Sequence, residues 1–491
     1  MTIKRPSLCC LSLAFLCLSA SAQRAPSAKA PVDYANPLVG TAPLDNQKLI
    51  GNAPPPGEQL YSGFTSPGAT LPHSAVNLSP INANLAVEYP AGVRASYFYP
   101  NRMIYGFSTR DGGGPTIMPM TGNFTIPPER SASVYDKPRE TASPGYYSVY
   151  LDDFHTLAEM TVTTWTGIFR FTFPQSQKAH ILIDLGHEGG DIEVVDDHTV
   201  RGHSQRGHYF VAEFSRPFAG FGTFRQIPPR NPGRSLIGFS DVKPAVRIIS
   251  GNFAGAYLRF ATTRGEQVLV KIAQGASYAE AQQRLQSEDP GWDFNVIRRQ
   301  AKAAWAKKLN LIDVAGGTEK ERMLFYSCLY HSFDSPRLVA SSGDRFTGRD
   351  GKVHTAGYDR YGPVPFWDTG RNQIVLLTLL EPKVKIDILR SQLDMARQSG
   401  YMGTSFHGDN AVFMYLGDWE RGLKFDWSSV YPYLRKNATD PNGPRHYLAE
   451  YMRQGWISDI VPPFNPDPPY AGGKAGAATT LEYSWDDHAM A

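Results

Sequence analysis

Cysteine is scarce in this chain, and what is missing excludes a good deal. There are four cysteines in 491 residues. Cys9, Cys10 and Cys17 fall in a leader-like segment, so Cys328 alone remains and no intramolecular disulfide can form. An exported chain of this kind must be held together by core size. No Cys/His cluster has zinc-ligand spacing, and H-E-x-x-H is absent. There is no G-x-S-x-G nucleophile elbow and no D-x-D-x-D-G calcium loop. Asp111-Gly-Gly-Gly-Pro115 lacks the Lys-Ser/Thr of a phosphate loop and reads as a turn. Net charge is small: 49 Lys+Arg against 46 Asp+Glu gives +3, and Lys4 and Arg5 of the leader supply part of it. That removes the electrostatic case for a nucleic-acid or polybasic membrane binder. Beyond the leader no apolar run reaches the ~20 residues a bilayer needs. No fixed-period repeat is present, which argues against a solenoid or a propeller despite the Trp367-Asp368 dipeptide.

What is present divides the chain. Lys4 and Arg5, then the apolar Leu8 to Leu18, then Ala20-Ser21-Ala22 form a signal peptide over residues 1–22, cut before Gln23. Residues 23–285 read as an antiparallel β-sandwich. Tyr147–Leu151, Thr161–Trp165, Ile168–Thr172, Ile181–Leu185, Tyr209–Phe214 and Val268–Ile272 are short, β-branched or aromatic, and separated by turn residues. The period then changes. Ile297, Ala301, Trp305 and Leu309 recur along one helical stripe in a linker over residues 286–318. Helices are expected at Glu319–His331, Arg371–Leu380, after Pro382 with Gly400 closing it, at Asn410–Arg421, and at Tyr447–Arg453. Strands followed by helices indicate separate β and α domains. Long loops at 333–366 and 456–478 are where a site would be built. Cys328, between Leu324 and Leu329, is expected to be a packed core residue.

Three segments carry chemistry. Phe366-Trp367-Asp368-Thr369-Gly370-Arg371 offers a flat apolar platform, a paired acceptor for vicinal hydroxyls and a planar donor fork, which together suit a sugar; Asp368 would serve equally as a helix N-cap. His407-Gly408-Asp409-Asn410 precedes a helix, and Asp409 is either its N-cap or part of the same cleft. Asp418 and Glu420 are assigned to a solvated or interhelical face. Glu482 lies among Leu481, Tyr483 and Trp485, whose apolar surroundings would raise its pKa towards that of a general acid; the alternative is a capping Glu in a first turn. Asp486, one turn on, can share its face.

These residues belong to a wider set. The opening Val32-Asp33-Tyr34-Ala35-Asn36-Pro37-Leu38-Val39-Gly40-Thr41 is followed by Ser66-Pro67-Gly68-Ala69-Thr70-Leu71-Pro72. Then come Ile104-Tyr105-Gly106-Phe107-Ser108 and Ser143-Pro144-Gly145-Tyr146-Tyr147. The second half has Phe325-Tyr326 to Leu329-Tyr330-His331, Phe366-Trp367-Asp368-Thr369, Leu377-Thr378-Leu379-Leu380-Glu381-Pro382, Leu393-Asp394-Met395-Ala396, and Thr480-Leu481-Glu482-Tyr483 with Asp486-Asp487. In this order the chain resembles glycoside hydrolase family 92, the exo-acting α-mannosidases, from Val32 to its last residue. The resemblance implies an N-terminal β-sandwich, a helical linker and an (α/α)6 toroid, incomplete here, over residues 319–491. It implies calcium-assisted, inverting hydrolysis of terminal α-mannosides, with calcium as cofactor and a glycan as partner. It implies Glu482 as general acid and Trp367 and Asp368 as contacts to the terminal sugar. Arg371, His407 and Asp409 complete the expected substrate-binding set, and metal ligands are unassigned. The N-terminal domain would lean over the pocket around Ser108 to Gly114.

The sequence also departs from the family pattern. Thr109-Arg110 stands where His is usual, Gly370 where an aromatic often follows, Tyr401-Met402-Gly403-Thr404-Ser405 where Leu-Pro-Arg-Trp is common, and Asn410 where His is frequent. These bear on substrate and linkage more than on reaction type. Thr480 to Ala491 reads as the first turns of a helix that stops early. The family's base and most calcium contacts lie beyond the acid, so the expectation is an incomplete enzyme of poor activity with an exposed apolar edge. Two other readings stand beside the main one: a non-catalytic sugar-binding protein, and an (α/α)6 glycosidase acting on another sugar. Export to the periplasm or the medium is expected.

Overall fold

The structure is a computed structural model. It describes residues 29–45, 63, 65–82, 97–110, 113–124, 131–186, 189–205, 207–227, 239–289, 291–404, 408–458 and 476–491. The leader, His407 and most of the 456–478 loop lie outside these residues.

The first half is a sandwich of two antiparallel sheets. Among the described residues one has eight strands and the other nine. The strand Thr166–Phe173 shows why the sequence folds this way. Phe169, Phe171 and Phe173 alternate onto one face and are buried between the sheets, the first two stacked with ring centroids 5.7 Å apart. Ile168 points to the opposite face, where it meets Phe294 and Ile297 of a covering helix. Because the side-chain period of a strand is two, this register fixes both faces at once. Phe169 pairs with Met160 on one side and Val270 on the other.

The helix Phe294–Leu309 joins the halves. Its first turns cover the nine-stranded sheet. Trp305, near its end, is fully buried in the helical half, where it packs on Tyr330 and donates to the Thr70 carbonyl at 2.6 Å. Gly145, with φ +78°, turns the chain against this helix; a Cβ there would lie 2.7 Å from the Ala301 Cβ. His73 closes the seam from the other side: Nε2 reaches Glu381 Oε2 at 3.2 Å and Nδ1 the Pro336 carbonyl at 3.1 Å.

Helices then follow at Glu319–Ser332, Gln373–Leu380, Pro382–Ser399, Ala411–Glu420, Trp427–Thr439, Leu448–Gln454 and Gly476–Met490. Local chemistry sets their ends. Thr318 and Glu321 form a capping box. Pro382 opens the longest of them and Gly400, with φ +86°, closes it.

Several sequence expectations need correction. Residues Tyr278–Glu288 are helical, capped by Ser277, within the stretch read as strands. Trp427–Thr439 is a further unexpected helix; Pro432 lies inside it and masks its pattern. Part of the 333–366 loop is two short strand pairs, Leu338–Ala340 with Arg360–Tyr361 and Arg345–Thr347 with Val353–Thr355. Cys328 is exposed. Its helix turns Tyr326, Leu329 and Tyr330 inward, and position 328 falls on the other side.

Candidate active site

The site is assembled from segments distant in sequence. Pro365 leads into a single turn, Phe366–Thr369, anchored by the buried Phe366. Trp367 lies in this turn and Arg371 just beyond its C-cap Gly370. Both reach Glu482 on the helix Gly476–Met490. The Trp367 indole Nε1 donates to Glu482 Oε1 at 3.0 Å. Arg371 Nη2 lies 3.6 Å from the same oxygen. The other oxygen, Oε2, accepts from Asn410 Nδ2 at 3.2 Å. Glu482 keeps 19% of its side chain exposed, so it is held on both sides while still open to solvent.

The wall around Glu482 differs from the expectation. Leu481 and Trp485 are 72% and 63% exposed. They are a turn apart on the outer face, so they do not shield the acid. Its aromatic neighbour is Trp367, brought from elsewhere in the chain. Glu482 and Asp486 share the inner face, as their spacing implies.

Behind Glu482 lies a buried acidic cluster. Asp486 Oδ2 accepts from the Asp409 backbone N–H at 2.6 Å, and Oδ1 from Asn410 Nδ2 at 3.2 Å. Burial pushes the Asp486 carboxyl up to about 6. Asp409 Oδ2 accepts from Arg445 Nε at 3.1 Å and Oδ1 from Asn437 Nδ2 at 3.1 Å. Burial pushes Asp409 up to about 7, against the pull of the guanidinium. Arg445 Nη1 also donates to Asp487 at 2.6 Å.

The expected residues therefore separate. Trp367, Arg371 and Glu482 converge. Asp368, one residue round the turn, is exposed. It caps no helix, since Asn372 caps the next one. Asp409 is only 1% exposed and both its oxygens are occupied. It lies beneath Glu482 and Asn410 with Asn437 and Arg445 as partners; it is not the N-cap, a position held by Asn410. His407 lies outside the described residues. Sequence reasoning missed the roles of Asn410, Asn437 and Arg445. Asn410 was visible only as a departure from the family pattern, and nothing local to Asn437 or Arg445 signals a contact with Asp409.

The family resemblance implies calcium. Among the described residues no group of three His, Cys, Asp or Glu side chains is arranged to hold a metal ion. The inward carboxylates of Asp409 and Asp486 are taken up by amide and guanidinium donors. The described residues do not fit the ion.

Comparison with known proteins places this geometry. Residues 34–274 match the glycosyl hydrolase family 92 N-terminal domain and residues 280–491 its catalytic domain. A solved family 92 α-mannosidase of Bacteroides thetaiotaomicron is 27% identical, with a TM-score of 0.76 over 94% of this chain and 62% of that one. A complex of that mannosidase with mannoimidazole superposes with a TM-score of 0.75 at 26% identity, covering 94% and 61%. An uncharacterized secreted glycosidase of Arthroderma benhamiae is 24% identical over 59% of this chain and 41% of its own length. The chain thus spans less than two thirds of these relatives. Matched by both domain models in sequence order, with the sandwich-and-helix architecture of the solved mannosidase, the chain belongs to glycoside hydrolase family 92.

Proposed function

We propose that this chain is an exported glycoside hydrolase that cleaves terminal α-mannosidic bonds with inversion, Glu482 giving its proton to the departing glycosidic oxygen. The observation that carries the reading is the convergence of Trp367, Arg371 and Asn410 on Glu482, whose carboxyl group still keeps 19% exposure. An acid must be held in one orientation and still meet its substrate. Two donors on opposite oxygens supply the first condition, and the exposed edge of Glu482 the second. Trp367 adds a face on which a sugar ring can stack, its indole N–H being engaged at the edge. Asp368, exposed beside it, is free to accept from sugar hydroxyls. The mannoimidazole complex of the relative supports a mannose-like ligand. The description of the fungal relative as secreted supports export, and among the described residues no helix is long and apolar enough to cross a membrane.

The test is release of mannose from α-linked mannobioses, followed by proton NMR. Inversion predicts β-mannose as the first anomer. Glu482→Gln should lower kcat by about 100- to 10,000-fold, the usual worth of a general acid, with KM little changed. Calcium dependence rests on the family resemblance alone, since the described residues do not fit the ion; release that survives EDTA in the same assay would exclude it. Binding of mannose without turnover in wild type would favour the non-catalytic reading.

A further inference from the structure

Asn410 occupies the N-cap of the helix Ala411–Glu420, yet its side chain makes no capping bond. An Asn at that position ordinarily accepts from a backbone N–H of the first turn and stabilises the helix by doing so. Here the amide is turned to the acidic cluster. Its single NH2 group donates to Glu482 Oε2 and to Asp486 Oδ1, each at 3.2 Å. The side chain is 93% buried, given 7% residual exposure. Gly408 makes this approach possible. At φ +73°, a Cβ would lie 2.7 Å from Asn410 Nδ2, 3.0 Å from Asp486 Oδ2 and 3.0 Å from Glu482 Cβ.

We propose that Asn410 is a positioning residue for Glu482, tying its carboxyl group to that of Asp486 through one shared donor and so setting both its orientation and its protonation. The proposal rests on the reading of Glu482 as the acid. An amide is suited to the task because it does not titrate. Its two hydrogens stay in place whichever carboxyl group holds a proton, and both leave one nitrogen, so the spacing of the carboxyl groups is fixed. A histidine or carboxylate there would itself gain or lose charge in the working range. Among the described residues the ionisable groups around the pair are Asp487 and Tyr483 on the same helix, Tyr451 on the helix Leu448–Gln454, Asp409 from the preceding loop, Arg445 beneath and Arg371 at the rim.

The test uses the Trp367 indole, which donates to Glu482, as a reporter that needs no turnover. The full chain is labelled with 5-fluorotryptophan. The Trp367 fluorine signal is assigned by Trp367→Phe and followed from acid to alkaline pH, with thermal unfolding as a folding control. In wild type the signal should titrate, and Glu482→Gln should abolish that titration. Asn410→Leu, which removes the donor, should raise the midpoint by about one pH unit. Asn410→Asp, close to Asn in shape and so tolerant in folding, should raise it further by adding a like charge. Where wild type releases mannose, kcat should fall roughly tenfold to a hundredfold in the leucine variant, with KM nearly constant and the pH profile moved in parallel. If wild type releases none, the reading of function fails, and the fluorine titration still decides the role of Asn410. A flat wild-type signal, or one midpoint shared by wild type and the leucine and aspartate variants, overturns the proposal.

Discussion

Among the described residues, two acid–base pairs of the helical half are almost wholly buried, and they are built differently. Lys385 and Asp418 are 3.1 Å apart, with side chains 0% and 2% exposed. Asp418 takes a second bond from Thr378, and Lys385 a second contact from the Ile374 carbonyl. One cation meets one anion, and the pair is sealed. Burial still works on both members, pulling the lysine down to about 8 and the aspartate up. The second pair, Asp409 and Arg445, is as deeply buried. Its single guanidinium, however, faces Asp409 and Asp487 directly, with Asp486 and Glu482 next in line. The first pair is balanced and holds helices together. The second is a surplus of acid, and that surplus opens onto the candidate site. Burial raises Asp409 and Asp486 beside Glu482, where the proposed chemistry would take place.

The comparison is broken most forcefully at the sealed pair. Lys385→Met would leave Asp418 buried without its cation, which costs about 3–5 kcal/mol. The denaturation midpoint of the chain should fall accordingly. Lys385→Met combined with Asp418→Leu should recover most of the loss, because two apolar side chains replace two desolvated charges. Thr378 would remain satisfied through its bond to the Ile374 carbonyl. A double variant as unstable as the single one would mean the pair does more than neutralise itself.

Arg445→Met sharpens the contrast, and its effect should be smaller and pH-dependent. At about pH 8 the variant has lost the guanidinium that draws Asp409 down, so this buried carboxyl must either stay an unpaired anion or take up a proton. Near pH 5 Asp409 is protonated, because burial has already raised it to about 7, and the cost should shrink to about 1–3 kcal/mol, that of lost hydrogen bonds. Denaturation of the variant and wild type at both pH values measures the difference. An equal loss at both would show that burial does not raise Asp409 into this range.

How much of this was legible beforehand depends on the range of the interaction. The sandwich and most helices follow from side-chain period and from caps such as Thr318 and Gly400, which are local. Tyr278–Glu288 was missed although Ser277 before an Ala-, Gln- and Glu-rich run signals a helix start, and Trp427–Thr439 because Pro432 argues against a helix interior. Of the site, Glu482 with Asp486 was legible from helical spacing, and Trp367 with Arg371 from the chemistry of their segment. That Trp367, and not Trp485, borders Glu482 was not legible, since spacing along one helix cannot report what another segment brings to it. The same holds for Asp409. A carboxylate before a helix suggests a cap, and only the fold reveals Asn437 and Arg445 as its partners.

The smallest expected effect is the most local. Asp409 and Asp486 have folded pKa values of about 7 and about 6, above the ordinary 3.8 of an aspartate. A carboxyl group raised on folding binds its proton more tightly in the native state. Its contribution to stability is therefore fullest below the unfolded value and is lost as pH rises through the folded one. Between about pH 4 and pH 7 the cluster should loosen as it ionises. A global melt would blur this. His180 and His331 have lowered values, and each would be forced to charge on acidification, which destabilises the native state over part of the same range. Those histidines sit in the sandwich and in the helix Glu319–Ser332, away from the helix Gly476–Met490. Hydrogen-exchange protection factors of that last helix, corrected for intrinsic rates, isolate the cluster. They should be larger at about pH 5 than at about pH 8, and Asp486→Asn should flatten the dependence. Protection that instead rises with pH would show that the inward carboxylates are stabilised as anions, and the distinction between the sealed pair and the acid surplus would no longer hold.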